Sequence, residues 1–222
     1  MADKPRVKAP KQRRSPTTAA DPGRTRRMLG IGAAAAGGLL GVLAVVLLLG
    51  LGGGGGPDEE EVRATLEAAG CTLQVADALP GEHSVEAGGT SDDWNTDPPT
   101  TGPHFGVAAI FGIYDEPLEQ ARVLHNLEHG GIFIQYGEDV SEETVDALRD
   151  FYNGRKNGTI MAPLPELGDE FALGAWVAEA ESGNGYLAKC TTYEEDAVSA
   201  FFDAFQFRGP ERFDPSQLQP GL

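Results

Sequence analysis

The chain has 222 residues and a formal net charge of −17, from 17 Lys and Arg against 34 Asp and Glu. The balance is uneven: residues 1–27 carry nine basic and two acidic residues, leaving eight basic and 32 acidic for all that follows. A surface of the second kind repels nucleic acid and anionic headgroups, which argues against nucleic acid as a partner, and it attracts cations.

Residues 1–27 are interrupted by Pro5, Pro10, Pro16 and Pro22 and hold almost nothing apolar, which predicts a disordered basic tail. Residues 28–51, Met28 to Leu51, are 24 positions without a charge. At about 1.5 Å per residue they reach ~36 Å, enough for a transmembrane helix across a ~30 Å hydrocarbon core. The cationic flank puts the tail in the cytoplasm and everything beyond Leu51 outside the cell membrane. A cleaved signal peptide is the rival reading, but its apolar region would be shorter, and Gly50-Leu51-Gly52 is a poor cleavage site. Thr25-Arg26-Arg27-Met28-Leu29 resembles a twin-arginine export signal, which leaves a folded-state export route open. Residues 52–57 are a Gly-rich linker, and 58–222 are one extracytoplasmic domain, long enough to bury a core.

Within the domain, Asp58 to Ala69 reads as an amphipathic helix with carboxylates at its N-terminus, and Thr72 to Val75 as a short strand. Leu79 to Pro103 is rich in Gly, Pro, Asp, Ser and Thr and reads as loop. Leu118 to His129 is a helix with Ala121, Leu124 and Leu127 inward and Gly130 at its end, and Gly131 to Tyr136 is a strand. Val140 to Lys156 is a second amphipathic helix, with Asp139 and Glu142 as a capping box. Thr159 to Ala162, Phe171 to Ala178 and Leu187 to Cys190 read as strands, Glu194 to Phe207 as a final helix, and the tail after Gly209 as loose. The sum is an α+β domain with a mixed or antiparallel sheet and flanking helices, preceded by one transmembrane helix.

Cys71 and Cys190 are the only cysteines. Outside the membrane, with no third thiol to compete, they pair as one disulfide closing a long loop, worth about 4–5 kcal/mol in entropy models. Zinc ligation by the pair is the alternative, though neither has a Cys or His at ligand spacing.

All four histidines fall in the acidic domain: His83, His104, His125 and His129. In His125-Asn126-Leu127-Glu128-His129-Gly130-Gly131 the outer histidines are i and i+4 on one helical face, where two imidazoles can hold one transition metal and Glu128 can orient a ligand or act as a base. The plain alternative is a pair of structural histidines closing a helix. Pro98-Pro99-Thr100-Thr101-Gly102-Pro103 is stiff and can hold His104 rigidly. Met161, the domain's single methionine, ends a buried strand and is either a soft ligand or a core residue.

The run Pro98-Pro99-Thr100-Thr101-Gly102-Pro103-His104 and the run His125 to Gly131 resemble the PPTSGPH-like and HNLEHGG-like motifs of an uncharacterised bacterial family of exported domains, typically membrane-anchored in actinobacteria and relatives. The likeness spans about Gly70 to Cys190. Thr101 stands where Ser is usual. The resemblance implies that Gly81-Glu82-His83 and the two cysteines belong to the pattern, and it brings no assigned chemistry.

From the residues, the leading expectation is a carrier, sensor or accessory protein binding copper before zinc through His104, His125 and His129, with His83 or Met161 as a further ligand and Glu128 behind them. Other exported or membrane proteins are the expected partners. One alternative is a non-metal protein or ligand interaction module with structural histidines. Another is a zinc hydrolase, because His125-x-x-Glu128-His129 matches the H-x-x-E-H string, with Glu194 or Glu195 as a distant ligand. A serine hydrolase lacks its Gly-x-Ser-x-Gly elbow, and both thiols are spent in the disulfide.

Overall fold

The computed structural model describes residues 58–178 and 183–221. The expected tail, transmembrane helix and glycine linker of residues 1–57 lie outside the described residues. Among the described residues no helix is long and apolar enough to cross a membrane.

Six strands and four α-helices make an α+β domain around one mixed sheet. The strands are β1 (Thr72–Asp77), β2 (Gly112–Ile113), β3 (Ile132–Tyr136), β4 (Thr159–Pro163), β5 (Phe171–Ala178) and β6 (Gly183–Cys190), in the order β1-β6-β5-β3-β4-β2. β1, β6, β5 and β3 are antiparallel neighbours, while β4 runs parallel to both β3 and β2. β6 begins four residues before the expected Leu187, and the two-residue β2 falls where the sequence shows no strand pattern.

The helices are α1 (Glu59–Ala68), α2 (Gln120–Glu128), α3 (Glu142–Gly154) and α4 (Glu195–Phe205). Asp58 caps α1 by accepting from the Glu60 amide, and Glu59, Glu60 and Glu61 complement the helix dipole. For α3 the cap is Ser141, which accepts from the Thr144 amide at 3.2 Å, rather than the Asp139–Glu142 box expected. Ser141 directly precedes the helix and reaches the free Thr144 amide, which decides the position.

The connection β2–α2–β3 steps inward across β4, and β3–α3–β4 steps back. Parallel crossovers are right-handed almost without exception, so two that run in opposite directions put their helices on opposite faces. The packing agrees. Ile132, Ile134, Met161, Leu173 and Val177 face a core with α1, α3 and α4, while Phe133, Ala172 and Trp176 face Val123, Leu124 and Leu127 of α2. β5 is buried on both sides, which is why it reads as an unbroken apolar run.

Seven of the nine residues of α2 are buried, including His125, Asn126 and Glu128. A helix wrapped this completely has no solvated face, so its polar side chains must find partners inside the protein.

The C-terminal segment is not loose. The Gly158 amide donates to the Leu218 carbonyl at 2.7 Å, Glu211 donates to Glu128, Gly221 donates to Phe111, and Leu218 is buried beside Ile160 and Ala162. Its few apolar residues are spaced too widely to show a pattern, yet Leu218 alone gives the strap a purchase on the sheet.

Candidate metal centre

The site begins with the loop that precedes His104. Asn95 Oδ1 accepts from the Thr100 and Thr101 amides at 3.3 and 3.0 Å, and Thr96 Oγ1 lies 2.9 Å from that of Thr100. Trp94 donates its indole N–H to the Pro103 carbonyl at 2.8 Å. Thr100 and Thr101 are wholly buried and their polar atoms satisfied, so the stretch is a fixed platform. At its end the His104 Nδ1–H donates to the Gly102 carbonyl at 2.9 Å.

His83 is brought to the same place by a backbone clasp. The His104 amide donates to the Glu82 carbonyl and the Val85 amide donates to the His104 carbonyl, at 2.9 and 3.2 Å. A segment that reads as flexible in sequence is therefore pinned against His104. Gly81 must be glycine here, because a Cβ would run into Glu128 Oε1 and lie 3.0 Å from the Trp176 ring.

The third contribution is α2. Its polar positions divide two tasks between them. The His125 Nδ1–H donates to the Phe105 carbonyl at 2.8 Å, and Asn126 clamps the same loop through two bonds to the Ala109 backbone at 2.9 and 2.8 Å. Arg122 lies over the Phe105 ring at 4.5 Å. Leu127 fills the core, and Gly130 takes φ +88, a conformation that side chains resist, so that the chain can turn into β3. His125, Asn126, Leu127 and Gly130 of the His125–Gly131 string thus each have a physical reason.

The outcome is a set of His83, His104, His125 and Glu128 whose donor atoms lie within 4.8 Å of one another. Glu128 Oε2 is 3.0 Å from His104 Nε2 and 3.4 Å from His83 Nε2. The ring of His125 stacks on His83 and meets His104 edge-on, with Trp176 edge-on behind His104. Tetrahedral ligands at ~2.1 Å from one ion stand ~3.4 Å apart, close to the spacing of Glu128 from His104 and from His83.

The hydrogen bonds behind the imidazoles sharpen this. With Nδ1 of His104 and of His125 protonated and bound to carbonyls, each imidazole keeps Nε2 as its free donor, that of His104 facing Glu128 and that of His125 lying beside His129 Nε2. A neutral His104 would then point a lone pair at a carboxylate oxygen 3.0 Å away. Only a proton or a cation between them makes that contact favourable.

Burial alone would depress the His104 pKa, but the hydrogen bonds to Glu128 and the Gly102 carbonyl, with the charges of Glu128 and Glu211, raise it above the usual imidazole value. Glu128 is held below the ordinary carboxylate range, since the bond and charge of His104 and the bond to His83 outweigh desolvation. Desolvation lowers His125 and His129, and the neighbouring imidazoles add to it.

The other expected site residues fall differently. His129 is not part of the four-residue set, although its Nε2 lies 3.1 Å from that of His125. It joins Glu128 and Glu211 in a second set. Met161 is fully buried among Ile134, Leu173 and the α3 and α4 side chains, on the sheet face away from α2, so it is a core residue and not a ligand. Glu194 directly precedes α4, which carries Glu195 and packs against α1, and neither belongs to either set. Glu128, expected behind the histidines, stands among the donors themselves. Glu211 had no sequence signal, because it sits in a segment without pattern. Cys71 and Cys190 form the disulfide, at the adjoining ends of β1 and β6.

A family described as Protein of unknown function (DUF3105) matches residues 87–217, more than half of the chain. The chain belongs to this family. The DUF3105 segment holds His104, His125, Glu128, His129 and Glu211, and it begins four residues after His83. No curated protein and no solved structure matches the chain.

Proposed function

We propose that this domain binds one divalent transition-metal ion, zinc or copper(II), through His83, His104, His125 and Glu128, and serves outside the membrane as a tethered carrier, sensor or accessory protein. The observation that carries the reading is the convergence of three imidazoles and a carboxylate from three separate segments, two of the imidazoles aimed by carbonyls at their far nitrogens. With Met161 on the other face there is no soft ligand to favour copper(I), and three nitrogens with one oxygen suit either divalent ion. The disulfide supports an oxidising compartment, and the charge-free stretch 28–51 with its basic flank supports an anchor.

A carrier or sensor is favoured over a hydrolase by the state of Glu128. Its carboxylate is already committed to His104 and His83, so it is not a free base poised over a water. His83, with its side chain 47% exposed, gives the ion a route to solvent and to a partner.

The test is metal content. The full chain purified at neutral pH, loaded with zinc or copper(II) and freed of excess, should retain metal that the His104→Gln/His125→Gln variant loses. Equal, negligible retention by both would overturn the reading.

A further inference from the structure

Beside this position stands a second group of donors, Glu128, His129 and Glu211, also within 4.8 Å of one another. We propose that these three hold a second divalent transition-metal ion, zinc or copper(II), so that the domain is a two-ion centre bridged by Glu128. The inference rests on the inner position being a metal site.

The geometry requires two ions if all the donors are used. Ligands on opposite sides of a single ion with ~2.1 Å bonds can stand no more than ~4.2 Å apart. The histidine and carboxylate donors fall into two sets that have only Glu128 in common, so no one ion gathers them all. His129 Nε2 is 3.3 Å from Glu211 Oε2 and 3.1 Å from His125 Nε2, which places it at the seam between the two. A shared carboxylate is also the group that offsets the repulsion between neighbouring cations.

Glu211 is no casual surface acid. Its amide donates to the Glu128 carbonyl at 3.0 Å, and two residues earlier Gly209 packs so closely on the Glu128 and Gly130 backbone that a Cβ would not fit. The strap continues to Phe213, whose ring lies 4.4 Å from that of His129 and fixes it in place. A folded segment therefore delivers the carboxylate to the end of α2, where His129 waits with its side chain only 18% exposed. With one nitrogen and two carboxylate donors, and Glu211 half exposed, the outer position keeps coordination sites open to water.

Stoichiometry separates the two positions. The full chain is titrated with zinc, and separately with copper(II), and the metal retained per chain is counted. Wild type should retain two equivalents. Glu211→Gln and His129→Gln should each retain one, while Glu116→Gln, an exposed acid outside both sets, should keep two. One equivalent in wild type and in Glu211→Gln alike would overturn the second position and leave the first intact. Two equivalents persisting in both Glu211→Gln and His129→Gln would also overturn it, by showing uptake elsewhere on the acidic surface. No retention in wild type would overturn both positions together.

Discussion

His104 and Glu128 meet at 3.0 Å, Nε2 to Oε2, with the imidazole wholly buried. One ends a proline-rich loop and the other closes a helix, and the contact joins the two halves of the site. A buried carboxylate that loses such a partner keeps its desolvation cost. His104→Leu should therefore destabilise the metal-free domain by about 1–3 kcal/mol in chemical denaturation. Adding Glu128→Leu should return part of that loss, since both polar partners are then gone. Strictly additive losses would show that the pair is not coupled.

Metal affinity should fall with acid earlier than for a free imidazole. A proton on His104 Nε2 occupies the lone pair the ion needs, and Glu128 and the Gly102 carbonyl hold that proton to a higher pH than usual despite burial. Below the raised value, affinity measured by chelator competition should drop by about tenfold per pH unit for that proton. In the metal-free protein the sign reverses for this residue. Its raised pKa stabilises the fold fully below the ordinary imidazole value, and that contribution is lost as pH rises through the folded value. Glu128, with its lowered pKa, contributes above the ordinary carboxylate value and ceases to as pH falls through its folded one.

Gly81→Ala should weaken metal binding by about tenfold or more, and it should cost the metal-free fold about as much as breaking the His104–Glu128 contact does, about 1–3 kcal/mol. The new methyl group would occupy the place of Glu128 Oε1 and push the carboxylate from His104. Calorimetric titration alongside a thermal melt checks it, and unchanged affinity would mean Glu128 is not a donor.

Cys71→Ser/Cys190→Ser should cost about 2–5 kcal/mol of stability. The disulfide lies in the core that faces α1 and α4, away from α2. Metal stoichiometry measured in the cold, where the variant stays folded, should be unchanged.

The helices and the long strands were legible in the sequence because their apolar periods are regular, as at Val62 and Leu66 of α1 or along the unbroken β5. β2 was not, because two residues carry no period and take their place by pairing with Ile160 and Met161. The i, i+4 spacing of His125 and His129 was plain, but their division between two donor sets depends on the strap from Gly209 to Phe213, whose anchors are backbone bonds that leave no residue pattern. Met161 could be placed on a face only once the register of β4 was known, since a shift of one residue turns every side chain over. The capture of His83 is likewise a matter of main-chain bonds between residues 82–85 and 104.

X-ray absorption at the metal edge of the loaded full chain reads the donors themselves, and it should show nitrogen and oxygen ligands, the more distant scattering of several imidazole rings, and no sulfur. An oxygen-only shell without imidazole features, or a sulfur ligand, would contradict the proposed centre.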